Sequence, residues 1–544
     1  MKKWIVLPQK SDDIIEQILL NRKIKKPDWA SFLNPDFEKL FDPFLLKGMK
    51  EAVQRIEQAY QQKEIIGIFG DYDADGIPGT ALLYEYLIKI GFNVHVYIPS
   101  REQGYGLNRE GIEVLKKEGV SVLVAIDLGI RNFEEVEEAK KNGLAVIILD
   151  HHEVVGKMPR AIILNPKQKG ETYPFRELAA TGVVFKFIQA LNRRLKKVPE
   201  NYLKWTLDLV AISTICDVVP LVSENRIFAK FGLIVLKKTK NLGLGSLCQQ
   251  AAISPENIDT YSVGFQIGPR LNAPGRMDHA NESFYLLTSK NKKEANVLAE
   301  KLDLINRARQ NELERVLKEA KTKVSRDGLA KKKIILVEGK NWPPGIVGLV
   351  AGKLMEEFAR PVIVFEEKEG KLRGSARSID AYNMVEALDE AKEYLLKYGG
   401  HKRAAGLSLE LEHLSNLYDK LLEIAESKLK AEDLVPKITI DAKVNLADLS
   451  LKFLDEIRKL EPHGLGNPRP VFLLEDVVVS DVRTVGKENN HLKFKAGDLA
   501  AIGFDLGEMA KNLVDGSKAD LVFTLDEDNW DGRRKVQLKV LDFH

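Results

Sequence analysis

The stretch EIIGIFGDYDADGIPGTALLYEYLIKIGFNVHVYI (Glu64–Ile98) decides the fold. IIGIF (Ile65–Phe69) is apolar without polar alternation, the pattern of a strand covered on both faces of a sheet. TALLYEYLIKI (Thr80–Ile90) has helical composition, and VHVYI (Val94–Ile98) is again strand-like. The pattern then recurs. A helix near Arg109–Glu118 leads to VLVAI (Val122–Ile126), and a charged helix over Glu134–Lys141 leads to AVIIL (Ala145–Leu149). Such alternation predicts a parallel sheet with helices on both faces.

In open sheets of this kind ligands bind at the carboxyl ends of the strands. Those positions are acidic here: GDYDADG (Gly70–Gly76) follows the first strand, Asp127 the third, and Asp150-His151-His152 the fourth. One DxD after a strand serves equally well as a turn or a helix cap. Three strand ends aiming carboxylates and imidazoles at one crevice are a different matter, because like charges held together need cations between them. Carboxylate with imidazole suits Mg²⁺ or Mn²⁺, and a pair of ions about 3.5 to 4 Å apart serves phosphoester hydrolysis. No GxxxxGK[ST] loop is present, since GIVGLVAGKL has the wrong spacing, which disfavours a nucleotide-triphosphate motor. The glycines of GLGSL and GLGN read as turns.

Downstream, a charged segment from about Lys292 to Ser325 predicts a long connecting helix. A second α/β unit opens at KIILVE (Lys333–Glu338) and continues through a glycine-rich helix (Gly345–Glu357) and PVIVF (Pro361–Phe365). Short strand-like runs beyond Lys430 predict a small barrel of the oligonucleotide-binding type. The expected division is an N-terminal segment (1–45), a catalytic domain (46–230), a helical region with its connecting helix (231–325), a second α/β domain (326–430) and the barrel (431–544). A net charge of +3 over 544 residues neither suggests nor excludes a polyanionic partner. Two cysteines, Cys216 and Cys248, build no disulfide framework, and no apolar run approaches the roughly 20 residues of a spanning helix. The expectation is a cytoplasmic protein without a membrane partner.

GDYDADG, LDHH and CDVVPL (Cys216–Leu221) resemble the DHH phosphoesterase superfamily. GFQIGPRLNAPGRM (Gly264–Met277), WPPGIVG (Trp342–Gly348), GSARS (Gly374–Ser378), GGHKRAAG (Gly399–Gly406) and LEPHGLGNPRPVF (Leu460–Phe472) are similar to segments of its RecJ exonuclease family. The resemblance implies a DHH domain joined by a long helix to a DHHA1 domain, followed by an OB-like barrel. It implies 5′ to 3′ digestion of single-stranded DNA to mononucleotides with two Mn²⁺ or Mg²⁺ ions, in recombination and repair, beside single-strand-binding protein and a helicase. Carried over motif by motif, Asp71, Asp73, Asp75, Asp127, His151 and Asp217 are metal ligands, with Asp75 or Asp127 bridging. Asp150 and His152 coordinate, or orient a ligand and stabilise the transition state. Arg101, Arg276, Ser375, Arg377 and His401 hold the strand, Arg101 at the terminal 5′ phosphate. In the barrel, His463, Arg469, Lys487, His491 and Lys493 are candidates for the strand or plain surface residues.

Some positions depart from the family pattern. Leu128 stands where a polar residue is usual, Pro343 where histidine is common, and Phe69 where related pyrophosphatases carry a histidine ligand, for which Asp71 substitutes. The alternatives are a superfamily phosphodiesterase acting on oligoribonucleotides or cyclic dinucleotides, and a non-catalytic scaffold that binds single strands.

Overall fold

The computed structural model describes residues 2–277, 279–528 and 532–544. The chain forms two compact units, one made of Asp42–Asp217 and Gly232–Pro436, the other of Met1–Phe41, Val218–Phe231 and Lys437–His544.

The first unit contains two sheets. Strands β1 (Ile65–Gly70), β2 (Val94–Tyr97), β3 (Val120–Ile126), β4 (Ala145–Leu149) and β5 (Ile162–Leu164) form an all-parallel sheet in the order β2-β1-β3-β4-β5. Ile66, Ile68, Val122, Val124, Ile147 and Leu149 are fully enclosed, as expected where helices cover both faces. The strand order reverses between β1 and β3, the place where ligands bind at the strand ends in sheets of this kind. Helix α1 (Gly76–Lys89) starts one turn earlier than Thr80, directly after the acidic loop. Gly76 makes this possible, because a Cβ there would lie 2.6 Å from the Asp71 carbonyl oxygen. Pro78 falls in the first turn of α1, where no intrahelical partner for its nitrogen is needed.

Helices α2 (Ala180–Leu195), α3 (Leu207–Cys216) and α4 (Gly268–Met277) follow. GLGSL is not a turn: it lies inside a helix, Leu242–Gln250. A Cβ on Gly243 would meet the Leu286 carbonyl oxygen at 1.9 Å, so its glycine serves close helix packing rather than chain reversal.

Helix α5 (Lys292–Arg326) is the connecting helix. It is capped by Asn291 and buries a stripe through Ala295, Ala299, Leu302, Asn306, Arg309, Leu313, Val316, Ala320 and Val324 at helical spacing. It leads to strands β6 (Ile335–Lys340), β7 (Val362–Lys368), β8 (Lys371–Arg377), β9 (Lys397–His401) and β10 (Ala404–Glu410), in the order β9-β10-β8-β7-β6. Only β6 and β7 are parallel. Helix α6 (Pro344–Phe358), with Pro343 at its N-cap, packs with α5 on one face through Ile346, Val350 and Leu354.

In the second unit, β11 (Phe472–Val485), β12 (His491–Ala496), β13 (Leu499–Gly503), β14 (Lys518–Asp528) and β15 (Lys535–Phe543) close in the order β11-β12-β13-β15-β14 and back to β11. This is the expected oligonucleotide-binding barrel, filled by Phe472, Phe494, Leu521, Phe523 and Leu538. The N-terminal strand Lys3–Val6 pairs in parallel with Lys437–Ile440. Among the described residues, no helix is long and apolar enough to cross a membrane.

Candidate metal centre

Three backbone hydrogen bonds extend the parallel ladder one residue past the strands: Asp71 N to Ile126 O (3.2 Å), Asp127 N to Leu149 O (2.9 Å) and Asp150 N to Leu164 O (3.1 Å). The three aspartates therefore stand side by side across the carboxyl end of the sheet. Asp127 does so with a φ of 63°, a left-handed conformation that aspartate tolerates better than most residues.

Around them the fold gathers three overlapping donor sets, each with its ligand atoms within 4.8 Å of one another: Asp71, Asp73 and Asp127; Asp75, His151 and Asp217; and Asp127, His151 and His152. His151 Nε2 lies 3.6 Å from Asp75 Oδ2, 3.4 Å from Asp127 Oδ1 and 3.5 Å from Asp217 Oδ2. Asp217 comes from the C-cap of α3.

Burial pushes the carboxyls of Asp71, Asp127 and Asp217 well above the ordinary range, and neighbouring carboxylates push them further. Asp71 Oδ1, Asp127 Oδ1 and both ring nitrogens of His151 are buried without a hydrogen-bond partner. Native interiors rarely leave so many polar atoms unpartnered together. Hard oxygen donors, imidazole nitrogen and unanswered lone pairs fit divalent Mn²⁺ or Mg²⁺, which would return these carboxylates to their ionised state.

Asp75 and Asp150 are bound differently. Asp75 receives Ala180 N (2.7 Å), Thr181 N (2.9 Å), Thr181 Oγ1 (3.0 Å) and Ser213 Oγ (2.5 Å), so the N-terminus of α2 and two hydroxyls lock it in place. Asp150, fully buried, receives Ile130 N, His151 N, His152 N and His152 Nδ1 at 2.7 to 3.0 Å, and belongs to none of the three donor sets. Burial favours its neutral form, but the His152 hydrogen bond and the adjacent imidazoles outweigh that and hold it well below its usual value. Burial in turn lowers the His152 pKa, and Asp150 more than offsets it, leaving His152 above the ordinary histidine value.

Phe69 is buried against Tyr97, with ring centroids 5.0 Å apart, and Leu128 is fully buried in the core on the same side of the sheet. Neither side chain has the polar surroundings of a ligand position.

The cations form a second group. Arg101 Nε donates to Gly275 O (3.0 Å) and its guanidinium lies 5.0 Å from the Tyr72 ring centroid. Arg276 donates to Gly345 O (3.2 Å), and Arg377 to Ser375 Oγ (3.0 Å) and Ala376 O (2.8 Å). Among the described residues, all three bond to neutral oxygens. Burial pulls Arg276 down to about 10, with Arg101, Arg309 and Arg377 adding to the effect. His401 stands at the end of β9 with its surface exposed to solvent; partial desolvation by its surroundings lowers its pKa, and the charges of Arg131 and His152 add to the effect. In the barrel unit, His463 is instead a half-buried residue whose Nδ1 lacks a partner, and Arg469 lies 3.7 Å from Asp526.

Family models match the chain in three places: the DHH family N-terminal domain over residues 65–214, the DHHA1 domain over 331–431 and the RecJ OB domain over 440–542. The single-stranded-DNA-specific exonuclease RecJ of Bacillus subtilis is 39% identical over 539 residues, covering 97% of this chain and 67% of that relative. The chain belongs to the RecJ family. RecJ from Thermus thermophilus, solved in complex with Mn²⁺, superposes with a TM-score of 0.84 at 28% identity, covering all of this chain and 79% of that one. The same RecJ solved with Mg²⁺ gives 0.78 at 26% identity, covering 100% and 78%.

Residue reading from sequence missed several contributors to this RecJ-type site. Tyr105 donates its hydroxyl to Asp127 O (2.8 Å) and lies 3.2 Å from His152 Nδ1. Thr181 and Ser213 hold Asp75, and Asn272 reaches the acidic loop from α4, its Oδ1 accepting from Ala74 N at 2.8 Å. The glycines flanking Tyr105 were a usable signal, whereas Thr181 and Ser213 sit in ordinary helical sequence.

Proposed function

We propose that this protein is an exonuclease that degrades single-stranded DNA from its 5′ end to 5′ mononucleotides, using two Mn²⁺ or Mg²⁺ ions. Family membership supports the reaction and the substrate. The observation that carries the mechanism is the concentration of orphaned buried acceptors on Asp71, Asp127 and His151, beside Arg101, Arg276 and Arg377, whose hydrogen bonds among the described residues go to neutral oxygens.

In this reading Asp71, Asp73, Asp75, Asp127, His151 and Asp217 would hold the ions. Two bound ions supply charge neutralisation, an activated water and stabilisation of the departing oxygen. The protein's own groups do the rest. Asp75 is pre-positioned by α2. Asp150 orients its neighbour His152 and favours its protonated form, so that His152 can stabilise charge on the scissile phosphate and place a proton near the leaving oxygen.

Arg101, Arg276 and Arg377, with Ser375, receive the terminal 5′ phosphate, and His401 a backbone phosphate. Guanidinium groups suit this task because they bind phosphate bidentately and stay charged when half-buried. An anchored end beside the ions sets the direction of digestion. The barrel binds single strands by cationic contacts and base stacking without sequence readout. Such an activity serves recombination and repair in the cytoplasm, with single-strand-binding protein and a helicase as its partners.

The test uses a single strand labelled at its 3′ end, with and without a 5′ phosphate. The proposal expects release of unlabelled mononucleotides first, faster with the phosphate, and none with Asp73→Ala or His151→Ala. Early release of the 3′ label reverses the polarity. Cleavage confined to dinucleotides points to the short-oligonucleotide phosphodiesterases, and binding without cleavage to a scaffold.

A further inference from the structure

The turn LNAPGR (Leu271–Arg276), in the C-terminal part of α4, supplies Arg276 to the cationic group, and its other contacts reach further. Asn272 accepts from the Ala74 amide in the middle of the Asp71–Asp75 loop. Gly275 lies against the same loop so closely that a Cβ would stand 2.7 Å from the Tyr72 carbonyl oxygen. The Gly275 carbonyl in turn accepts from Arg101 Nε, and the Arg101 guanidinium stacks on the Tyr72 ring. On its far side the turn meets α6: Arg276 donates to Gly345 O, and a Cβ on Gly345 would stand 2.3 Å from Arg276 O. One turn of α6 later, a Cβ on Gly348 would meet Ser375 Oγ at 3.0 Å and Arg377 Nη2 at 3.2 Å. A single turn of chain thus touches the carboxylate loop, the first arginine, and the helix beside the last.

We propose that Asn272 and Gly275 form a register clip, positioning residues that fix the distance between the carboxylates that cleave and the guanidinium groups that hold the 5′ phosphate. The inference rests on the 5′-phosphate reading given under Proposed function. Neither residue touches the strand. Asn272 acts through the Ala74 amide, and Gly275 through Tyr72 and Arg101. Placement matters because a displacement of about 1 Å between reacting groups costs roughly a hundredfold in rate. With the clip intact, a 5′ phosphate improves both binding and the chemical step. With it cut, the anchor and the cleaving site persist out of register, so the phosphate improves binding alone.

The experiment uses full-length Asn272→Ala and Gly275→Ala. Fluorescence anisotropy without metal compares 5′-phosphorylated and 5′-hydroxyl strands and reads the anchor independently of cleavage. Single-turnover cleavage at saturating protein and Mn²⁺ reads the chemical step. The clip requires the binding preference for the 5′ phosphate to stay within about twofold of wild type while the rate advantage from that phosphate falls at least about tenfold. Equal rate losses on both strands, the signature of a purely structural role, overturn it, as does loss of the binding preference. A wild-type protein indifferent to the 5′ phosphate removes the underlying reading before any substitution is made. If Gly275→Ala is too crowded to fold, Asn272→Ala decides alone, since it deletes one hydrogen bond and adds no bulk.

Discussion

Replacing Asp150 by asparagine separates orientation from coordination. The carboxylate accepts three hydrogen bonds at Oδ1, from His151 N, His152 N and His152 Nδ1, and one at Oδ2, from Ile130 N. An asparagine that keeps its oxygen on the three-donor side must point its amide nitrogen at the Ile130 N–H, donor against donor, in a fully buried site. Orphaning a buried amide costs about 1–3 kcal/mol, and the remaining bonds lose their charge assistance, so a destabilisation of about 2–4 kcal/mol is expected. His152 loses the partner that raises its pKa, and a positioned proton donor is worth about a hundredfold or more in rate. The assay is mononucleotide release from 5′-phosphorylated single-stranded DNA across a Mn²⁺ titration. We expect kcat at saturating Mn²⁺ to fall about a hundredfold, with the Mn²⁺ midpoint moving less than kcat. A kcat within about threefold of wild type at any Mn²⁺ level refutes the orienting role, and full rescue by raising Mn²⁺ alone makes Asp150 a direct ligand instead.

Three further outcomes follow from the same geometry. In metal-free protein the raised carboxyls of Asp71, Asp127 and Asp217 keep protons that the unfolded chain releases near pH 4, so stability falls as pH rises above that value; urea unfolding in EDTA at pH 5 and 7 should show this, and Asp127→Asn or saturating Mn²⁺ should flatten it. Burial, with Arg22, Arg469 and Arg226, pushes His463 down to about 3, so the native state stays neutral while the unfolded chain takes a proton below about pH 6.5. Stability is then lost as pH falls from about 6.5 towards 3, by up to about 1.4 kcal/mol per unit for this group, and His463→Gln should remove that increment between pH 6 and 4. The double variant Thr181→Val with Ser213→Ala removes two hydroxyl donors to Asp75 and should raise the Mn²⁺ midpoint about tenfold, read by calorimetric titration, while leaving metal-free binding of single strands unchanged.

What the sequence disclosed, it disclosed through local physics. Continuous apolar runs such as Val122–Ile126 declared buried parallel strands, and acidic residues after them declared the crevice, because strand ends in such sheets converge whatever the rest of the chain does. The long connecting helix expected over about Lys292–Ser325 was equally local. Features that depend on distant packing were not readable. GLGSL looks like a turn until Leu286 is seen pressing on Gly243. The capture of Asp75 by Thr181 joins residues 106 apart, and the pairing of Lys3–Val6 with Lys437–Ile440 spans nearly the whole chain. The different surroundings of Asp150 and His152, alike in the motif, show only when the four donors to Asp150 are counted.

The central claim is that two ions occupy this cluster, and anomalous diffraction from a crystal soaked in Mn²⁺ tests it directly. The account predicts two peaks about 3.5–4 Å apart, one against Asp75, His151 and Asp217 and the other against Asp71, Asp73 and Asp127. A single peak, or none among these carboxylates in a crystal whose protein cleaves single strands, contradicts it.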